Sequence, residues 1–366
     1  MILSSRLAAP CALLARRAFS LQPDPFAKFA RRGVFHRGAG DFGRARPPPV
    51  DRIRERATPP RARSKRETSQ AEGIMRGNQK VFNRVAADIA GRGLPAGAAV
   101  LDLGASGGEP SLTIASTAKD LRVVSTDFAP QNKAIGEKRA EAFGLADRVE
   151  FHTTDAQDLS AWADGAFDAA VGTYVLMFTP DVAQVCSEVA RVLKPGSPFV
   201  TAVWQPPAKV DLFGKGLMAM VGAMRESGGL PMPDPDGPPP TNPCNLADAA
   251  PDGPLGDALR AAGFADVTAE EWTYPVCVAG RDFADVAARF IEATPFYGQI
   301  LEAGGEANLE KAHKVMVKIF EDAGHEMVDL ADHIPEWSGV DNPEGLATGL
   351  LFKSNTCLYV SAVSPS

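Results

Sequence analysis

The stretch VLDLGASGGEP, residues 100–110, decides the fold of this chain. It begins with the apolar residues of a buried strand, and three of the five residues from 104 to 108 are then glycine, namely Gly104, Gly107 and Gly108. Glycine permits a tight turn and lets another group approach the backbone closely. Pro110 follows at a position where helices often begin. The stretch therefore predicts a strand that turns into a helix through a glycine-rich loop.

Strand-like and helix-like segments alternate on either side of this loop. Short runs rich in β-branched and aromatic residues are separated by longer runs with helical periodicity, which is typical of a parallel sheet with crossover helices. We predict an α/β fold, a Rossmann-like, seven-stranded, mostly parallel sheet with helices on both faces. The predicted strands are residues 98–104, 121–127, 149–155, 167–176, 198–204, 264–278 and 349–363.

Aspartates close, or nearly close, the first three predicted strands. These are Asp102, Asp127 and Asp155. A single aspartate after a strand is more often a turn residue than a ligand-binding one. The ligand crevice of an open parallel sheet, however, lies beyond the carboxyl ends of its strands. Three such residues around one glycine-rich turn therefore indicate a ligand site.

Two classes of ligand suit such a crevice. A dinucleotide places its pyrophosphate at the helix N-terminus and favours the spacing G-x-G-x-x-G. Here the spacing is G-x-x-G-G, and Glu109 stands where the phosphate would lie. S-adenosylmethionine has no phosphate but carries a positive sulfonium, and therefore suits close backbone approach combined with acidic residues. A nicotinamide-dependent oxidoreductase and a catalytically silent cofactor-binding subunit remain as alternatives.

The segments VLDLGASGGEPSLTIA, VVSTDFAP, TTDAQDL and the run from Phe167 to Trp204 occur in this order over residues 98–204. They resemble the class I S-adenosylmethionine-dependent methyltransferases, especially the group that includes the ubiquinone and menaquinone biosynthesis C-methyltransferases. The resemblance implies methyl transfer to a small-molecule acceptor, a quinone-type or other apolar metabolite. It also implies that the cofactor S-adenosylmethionine is bound by Asp102, Gly104, Ser106, Gly108, Asp127, Phe128, Asp155, Ala156 and Thr173.

The acceptor side of the site is predicted from fewer signals. Substrate-binding residues are predicted to be Tyr174, Trp204 and Phe213. A methionine-rich helical stripe over 211–224 and the proline-rich loop after it suit a lid over an apolar acceptor, and an ordinary core stripe is the alternative. His152 is interpreted as a core histidine. No catalytic base is assigned.

The chain divides by charge into two parts. Residues 1–67 hold 16 Lys and Arg against 5 Asp and Glu, a net charge of +11, whereas the remainder carries −18. Excess negative charge argues against a nucleic-acid partner. The basic segment has no apolar period and is predicted to be a disordered organelle-targeting segment, mitochondrial rather than plastid. A basic tail that stays on a cytoplasmic protein is the alternative.

Residues 68–366 are predicted to form the methyltransferase domain. Its cofactor half spans 98–204, and its substrate or lid insertions span 205–245 and 281–335. The five cysteines are widely spaced without a C-x-x-C pair, so neither a disulfide framework nor a metal site is predicted. No apolar run reaches the length of an integral membrane span.

Overall fold

The computed structural model describes residues 77–232, 246–247, 253–294, 296–335, 342 and 344–366. The predicted targeting segment and most of the proline-rich loop lie outside the described residues. In chain order the helices and strands are α1 (Gln79–Gly91), β1 (Ala99–Asp102), α2 (Ser111–Thr117), β2 (Arg122–Asp127), α3 (Pro130–Ala142), β3 (Val149–Thr153), β4 (Ala169–Thr173), α4 (Val182–Val192), β5 (Pro198–Trp204), α5 (Met218–Glu226), α6 (Gly253–Ala261), β6 (Ala265–Ala279), α7 (Phe283–Glu292), α8 (Phe296–Asp322), β7 (Glu326–Asp329), α9 (Leu330–His333) and β8 (Thr348–Val363).

The described strands form one eight-stranded sheet with the order β3-β2-β1-β4-β5-β8-β6, and β7 pairs with β8. Strands β1 to β5 are parallel, and β8 runs antiparallel to β5, β6 and β7. The predicted α/β fold with a mostly parallel sheet is therefore confirmed. The predicted number of seven strands was one too few, because the four residues of β7 are only partly buried and show no apolar run.

Strand β1 lies inside the sheet between β2 and β4. Its residues Val100 and Leu101 are fully buried, which explains the uninterrupted apolar run before the glycine-rich turn. Helix α2 follows directly after Pro110, as predicted. Helix α4 begins at Val182, because the side chain of Asp181 accepts a hydrogen bond from the backbone N–H of Gln184 and caps the helix there.

The methionine-rich segment packs into the core. A π-helical turn, Leu212–Leu217, leads into α5, and Met220, Val221 and Met224 are fully buried. Phe213 and Leu217 are partly buried and pack against the same core. Because these three side chains are fully buried, the segment fits the alternative of an ordinary core stripe better than that of a lid over the acceptor.

The described ranges contain neither a membrane-spanning helix nor a cluster of metal ligands. No helix there is long and apolar enough to cross a membrane. No group of three or more His, Cys, Asp or Glu side chains among the described residues is arranged to hold a metal ion.

Candidate cofactor site

The register of the parallel strands places three polar side chains on one face of the sheet. Asp102 pairs with Ser125 of β2 and with Val171 of β4. Paired residues on neighbouring strands share a face, and so do residues two positions apart on one strand. Asp127 and Thr173, each two residues beyond a partner of Asp102, therefore lie on the same face. All three occupy the carboxyl ends of adjacent strands, where an open α/β sheet binds its ligand.

Asp102 is fully buried, and only one of its two carboxyl oxygens forms a hydrogen bond within the described residues. Its Oδ2 accepts a hydrogen bond of 2.5 Å from the Ser111 hydroxyl, whereas its Oδ1 has no hydrogen-bond partner among the described residues. Burial raises the pKa of Asp102 to about 8, and the nearby carboxylates of Glu109 and Asp127 act in the same direction. The side chain is therefore mostly protonated at neutral pH, and a cation placed beside it would favour its ionised form.

Asp127 joins the glycine-rich turn to the end of β2. Its Oδ2 accepts from the backbone N–H of Ser106 at 2.9 Å, and its Oδ1 accepts from the backbone N–H of Ala129 at 2.8 Å. A carboxylate oxygen accepts more than one hydrogen bond, so the site keeps acceptor capacity for a ligand hydroxyl. Asp127 is thus a structural part of the turn as well as a candidate ligand.

The turn itself uses left-handed backbone at three positions. Gly104 has φ of 64°, Ser106 has φ of 50° and Gly108 has φ of 104°. A Cβ on Gly104 would lie 2.2 Å from Cγ2 of Val175. The close approach that explains Gly104 is therefore made, at least in part, by a side chain of the protein itself.

We predict that Ser106→Gly leaves the free energy of unfolding nearly unchanged. Relief of the left-handed strain, about 1 kcal/mol, is offset by the greater backbone entropy of glycine in the unfolded chain. Ser106→Val is expected to cost about 1–2 kcal/mol, since a β-branched residue tolerates positive φ poorly. Urea unfolding measures both, with Ser116→Val on the exposed side of α2 as the control. Equal stabilities of the valine variants at 106 and 116 would contradict the prediction.

Glu109 does not present a free carboxylate at the helix start. Its side chain is buried and forms an ion pair of 2.8 Å with Arg139 of α3, which also donates to the carbonyl of Gly107. The Thr113 hydroxyl donates to Glu109 at 2.6 Å. The sequence placed Glu109 where a phosphate would lie, but Arg139, which is distant in sequence, neutralises its carboxylate.

The remaining predicted cofactor residues lie near the same edge in different environments. Phe128 follows Asp127 and is 65% exposed. Asp155 is exposed in the loop after β3 and accepts a hydrogen bond from the backbone N–H of Gln157, while Ala156 is buried. Thr173 ends β4, and its buried Oγ1 has no hydrogen-bond partner among the described residues. Their roles toward the cofactor stay predictions.

The predicted acceptor residues come together in one aromatic cluster, which we define as Tyr174, Trp204, Phe213, Trp272 and Tyr274. The rings of Tyr174 and Trp204 stack at 4.1 Å with an interplanar angle of 4°, and Phe213 meets Trp204 edge-on at 5.4 Å. Trp272 and Tyr274 stack at 4.8 Å.

Strand register explains why these rings meet, since Trp204 and Trp272 both pair with Cys357 of β8. Trp204 also lies two residues beyond Ala202, the partner of Thr173. The aromatic cluster and the polar residues therefore share one face of the sheet. Trp272 and Tyr274 gave no local signal in the sequence, because their partners lie far away along the chain.

The core interpretation of His152 was wrong. Its side chain is 37% exposed and contacts Glu150 at 2.8 Å, because β3 is the edge strand of the sheet. The His152 ring also meets the ring of Trp162 edge-on at 5.5 Å.

Comparison with known proteins points to the same part of the chain. Residues 101–201 match the model of a family described as a methyltransferase domain. The chain is 37% identical to a demethylmenaquinone methyltransferase of Thermus thermophilus over 110 residues, 30% of this chain and 49% of that protein. It is 34% identical to a sterol 4-C-methyltransferase of Caenorhabditis elegans over 100 residues, 27% of this chain and 29% of that protein.

A ubiquinone biosynthesis O-methyltransferase of Xanthomonas axonopodis pv. citri is 32% identical over 130 residues, 35% of this chain and 50% of that protein. The chain thus spans half the length of these relatives or less. Among solved structures, a phosphoethanolamine N-methyltransferase of Haemonchus contortus in complex with S-adenosyl-L-methionine aligns with a TM-score of 0.40 and 16% identity, over 78% of this chain and 52% of that one.

These matches give no support to the oxidoreductase or to the silent subunit. They cover the glycine-rich turn, the strand-end acids and the end of β4, which are the features assembled at the carboxyl edge. Residues 101–201 are a methyltransferase domain, in line with the predicted resemblance to the class I S-adenosylmethionine-dependent methyltransferases.

Proposed function

We propose that the chain as a whole transfers a methyl group from S-adenosylmethionine to a small apolar acceptor. The observation that carries the proposal is the pair of buried oxygens, Asp102 Oδ1 and Thr173 Oγ1, without partners among the described residues. They lie on adjacent strands beside the glycine-rich turn. Buried polar groups normally form hydrogen bonds, so two buried oxygens without such partners at a ligand crevice are consistent with contact to a polar ligand.

The residues present suit this cofactor. Asp102 would face its cationic end, because a positive charge offsets the cost of ionising a buried carboxyl group. Asp127 would accept from the ribose hydroxyls, and Phe128, Asp155 and Ala156 would contact the adenine. When bound, S-adenosylmethionine supplies a methyl group already activated by its sulfonium.

The chain's own contribution is to align the acceptor and exclude water. Alignment of two reactants alone supplies roughly 7–11 kcal/mol in favourable cases. Tyr174 is unsuited to act as a base, because burial holds its pKa well above the ordinary value. Its ring and that of Trp204 instead form a rigid apolar wall on the face that carries the polar residues.

We propose a quinone-type acceptor for this site. The relatives are named a demethylmenaquinone methyltransferase, a ubiquinone biosynthesis O-methyltransferase and a sterol 4-C-methyltransferase, and these names support an apolar acceptor. The aromatic cluster is compatible with such a molecule, since flat rings and apolar chains pack against aromatic side chains.

The test is to incubate the full chain with methyl-labelled S-adenosylmethionine and a panel of demethylated quinones, sterols and small amines. Label is expected to enter the quinone, and excess S-adenosylhomocysteine is expected to abolish transfer. Transfer to a sterol or amine alone would contradict the quinone proposal, and the absence of transfer to any acceptor in the panel or in a fractionated organellar extract would contradict methyl transfer.

We also propose that residues 1–67 direct the chain to mitochondria. The support is their net charge of +11, with Arg6, Arg16 and Arg17 set among small and hydroxyl residues. A fluorescent protein fused behind residues 1–67 is expected to enter mitochondria, and the same fusion with glutamine at the three arginines is expected to remain outside. Diffuse cytoplasmic fluorescence of the first fusion would contradict the proposal.

A further inference from the structure

A chain of buried hydroxyl groups joins the start of α1 to the end of β4. The Tyr274 hydroxyl donates to Oδ1 of Asn78 at 2.9 Å, and the hydroxyl groups of Tyr174 and Tyr274 are in direct hydrogen-bond contact. The three side chains are at most 6% exposed. A hydroxyl group carries a single proton, so Tyr274, which donates to Asn78, must accept from Tyr174. Asn78 therefore fixes the direction of the chain.

The backbone of Tyr174 is held in an unusual conformation at the end of this chain. Its φ is 58°, in the left-handed region that bulky residues rarely adopt. Such a conformation persists only where surrounding contacts fix it. Three contacts do so here: the hydroxyl bond to Tyr274, the stack on Trp204, and a hydrogen bond of 2.8 Å from the Tyr174 N–H to the carbonyl of Ala202.

This conformation determines where the next residue lies. Val175 packs directly on Gly104, so closely that a Cβ on Gly104 would lie 2.2 Å from Val175 Cγ2. Gly104 belongs to the turn beneath the proposed cofactor. A continuous path of contacts therefore runs from Asn78 through the two tyrosines and Val175 to the turn.

Helix α1 is anchored by other contacts as well. The guanidinium of Arg84 lies 4.8 Å from the ring centre of Trp272 and 4.0 Å from that of Tyr359. The Tyr359 hydroxyl donates to Asp88 at 3.1 Å. Loss of the Asn78 side chain would therefore remove the acceptor of the hydroxyl chain while α1 stays in place.

We propose that Asn78 is a positioning residue for cofactor binding, acting through Tyr274 and Tyr174 on the glycine-rich turn. The proposal rests on the proposed function, since it assigns Asn78 to the same cofactor site. It predicts that what matters at position 78 is a hydrogen-bond acceptor. Asn78→Asp keeps that acceptor, and a carboxylate is favourable at the start of a helix.

The experiment is calorimetric titration of the full chain with S-adenosylhomocysteine, with thermal unfolding of each free variant measured alongside. Asn78→Leu and Tyr274→Phe are each expected to weaken binding about fivefold, the change typical of one lost buried hydrogen bond. The double variant is expected to bind no more weakly than the weaker single one, because both changes break the same chain. Asn78→Asp and the control Lys80→Ala, an exposed residue of α1, are expected to bind as the parent does.

Each outcome supports or overturns the role of Asn78 in cofactor binding. An unchanged dissociation constant for Asn78→Leu, or single effects that multiply in the double variant, would overturn the role of Asn78 while the proposed function stands. Should Asn78→Leu fail to fold, an unchanged dissociation constant for Tyr274→Phe overturns it equally. No binding by the parent chain would remove the proposed function and this role together.

Discussion

Replacement of Arg139 by methionine is expected to lower the free energy of unfolding by about 3–5 kcal/mol. The side chains of Arg139 and Glu109 are only 7% and 8% exposed and form an ion pair of 2.8 Å. Arg139 also donates to the carbonyl of Gly107 inside the turn. Removing the guanidinium leaves a buried carboxylate without its counter-ion, which costs far more than a surface pair contributes. Denaturant unfolding of the full chain measures the change.

Two further variants test the cause of this loss. The double variant Glu109→Gln with Arg139→Met is expected to recover most of the stability, because neither charge of the buried pair then remains. Lys318→Met, which breaks an exposed pair with Asp322 on α8, is expected to leave unfolding unchanged. If Arg139→Met cost no more than Lys318→Met, the buried pair would not hold the turn.

The variant Asp102→Asn is expected to remove a pH dependence from the stability of the free protein. The pKa of Asp102 is about 8 in the folded chain and about 3.9 in an unfolded one, so the folded state binds one more proton between these values. Stability then falls as the pH rises through this window, by about 1.4 kcal/mol per pH unit. The asparagine variant lacks this slope, and its stability relative to the parent should therefore increase steadily from pH 5 to pH 7.

The same substitution is expected to abolish proton release on cofactor binding. A bound cation lowers the pKa of Asp102, so the parent should release close to one proton per S-adenosylmethionine at pH 7, and Asp102→Asn close to none. Titration in two buffers of different ionisation enthalpy measures this number. Equal proton release by the two proteins would show that the cationic end of the cofactor does not lie at Asp102.

Features of the site that are local in sequence were predictable. The glycines, Asp102 and Asp127 lie within a single strand-turn-helix-strand unit, where strand ends and turn residues carry a direct signal. The order of the parallel strands then brings them to one edge. The sequence also predicted Tyr174 and Trp204 as neighbours of the site, since Tyr174 follows the end of β4 and Trp204 is the last residue of β5.

Features that depend on distant residues were not predictable. The ion pair of Glu109 was not predictable because its counter-ion, Arg139, lies 30 residues away in sequence, on α3. The bond between Tyr274 and Asn78 joins residues 196 positions apart, and neither side chain stands in a pattern that marks it. Strand β7 was not predicted because it is formed by pairing with β8 and carries no apolar repeat of its own.

Calorimetric titration with S-adenosylhomocysteine of the parent, Asp127→Ala and Asp147→Ala tests most directly whether the strand-end acids and the glycine-rich turn hold the cofactor. Asp147 is an exposed acid before the amino end of β3, at the opposite edge of the sheet, and serves as the matched control. The parent and Asp147→Ala are expected to bind equally, and Asp127→Ala to lose binding by at least about tenfold, the effect of about 1.4 kcal/mol. Equal binding by all three proteins would place the cofactor elsewhere and contradict the assignment of the site.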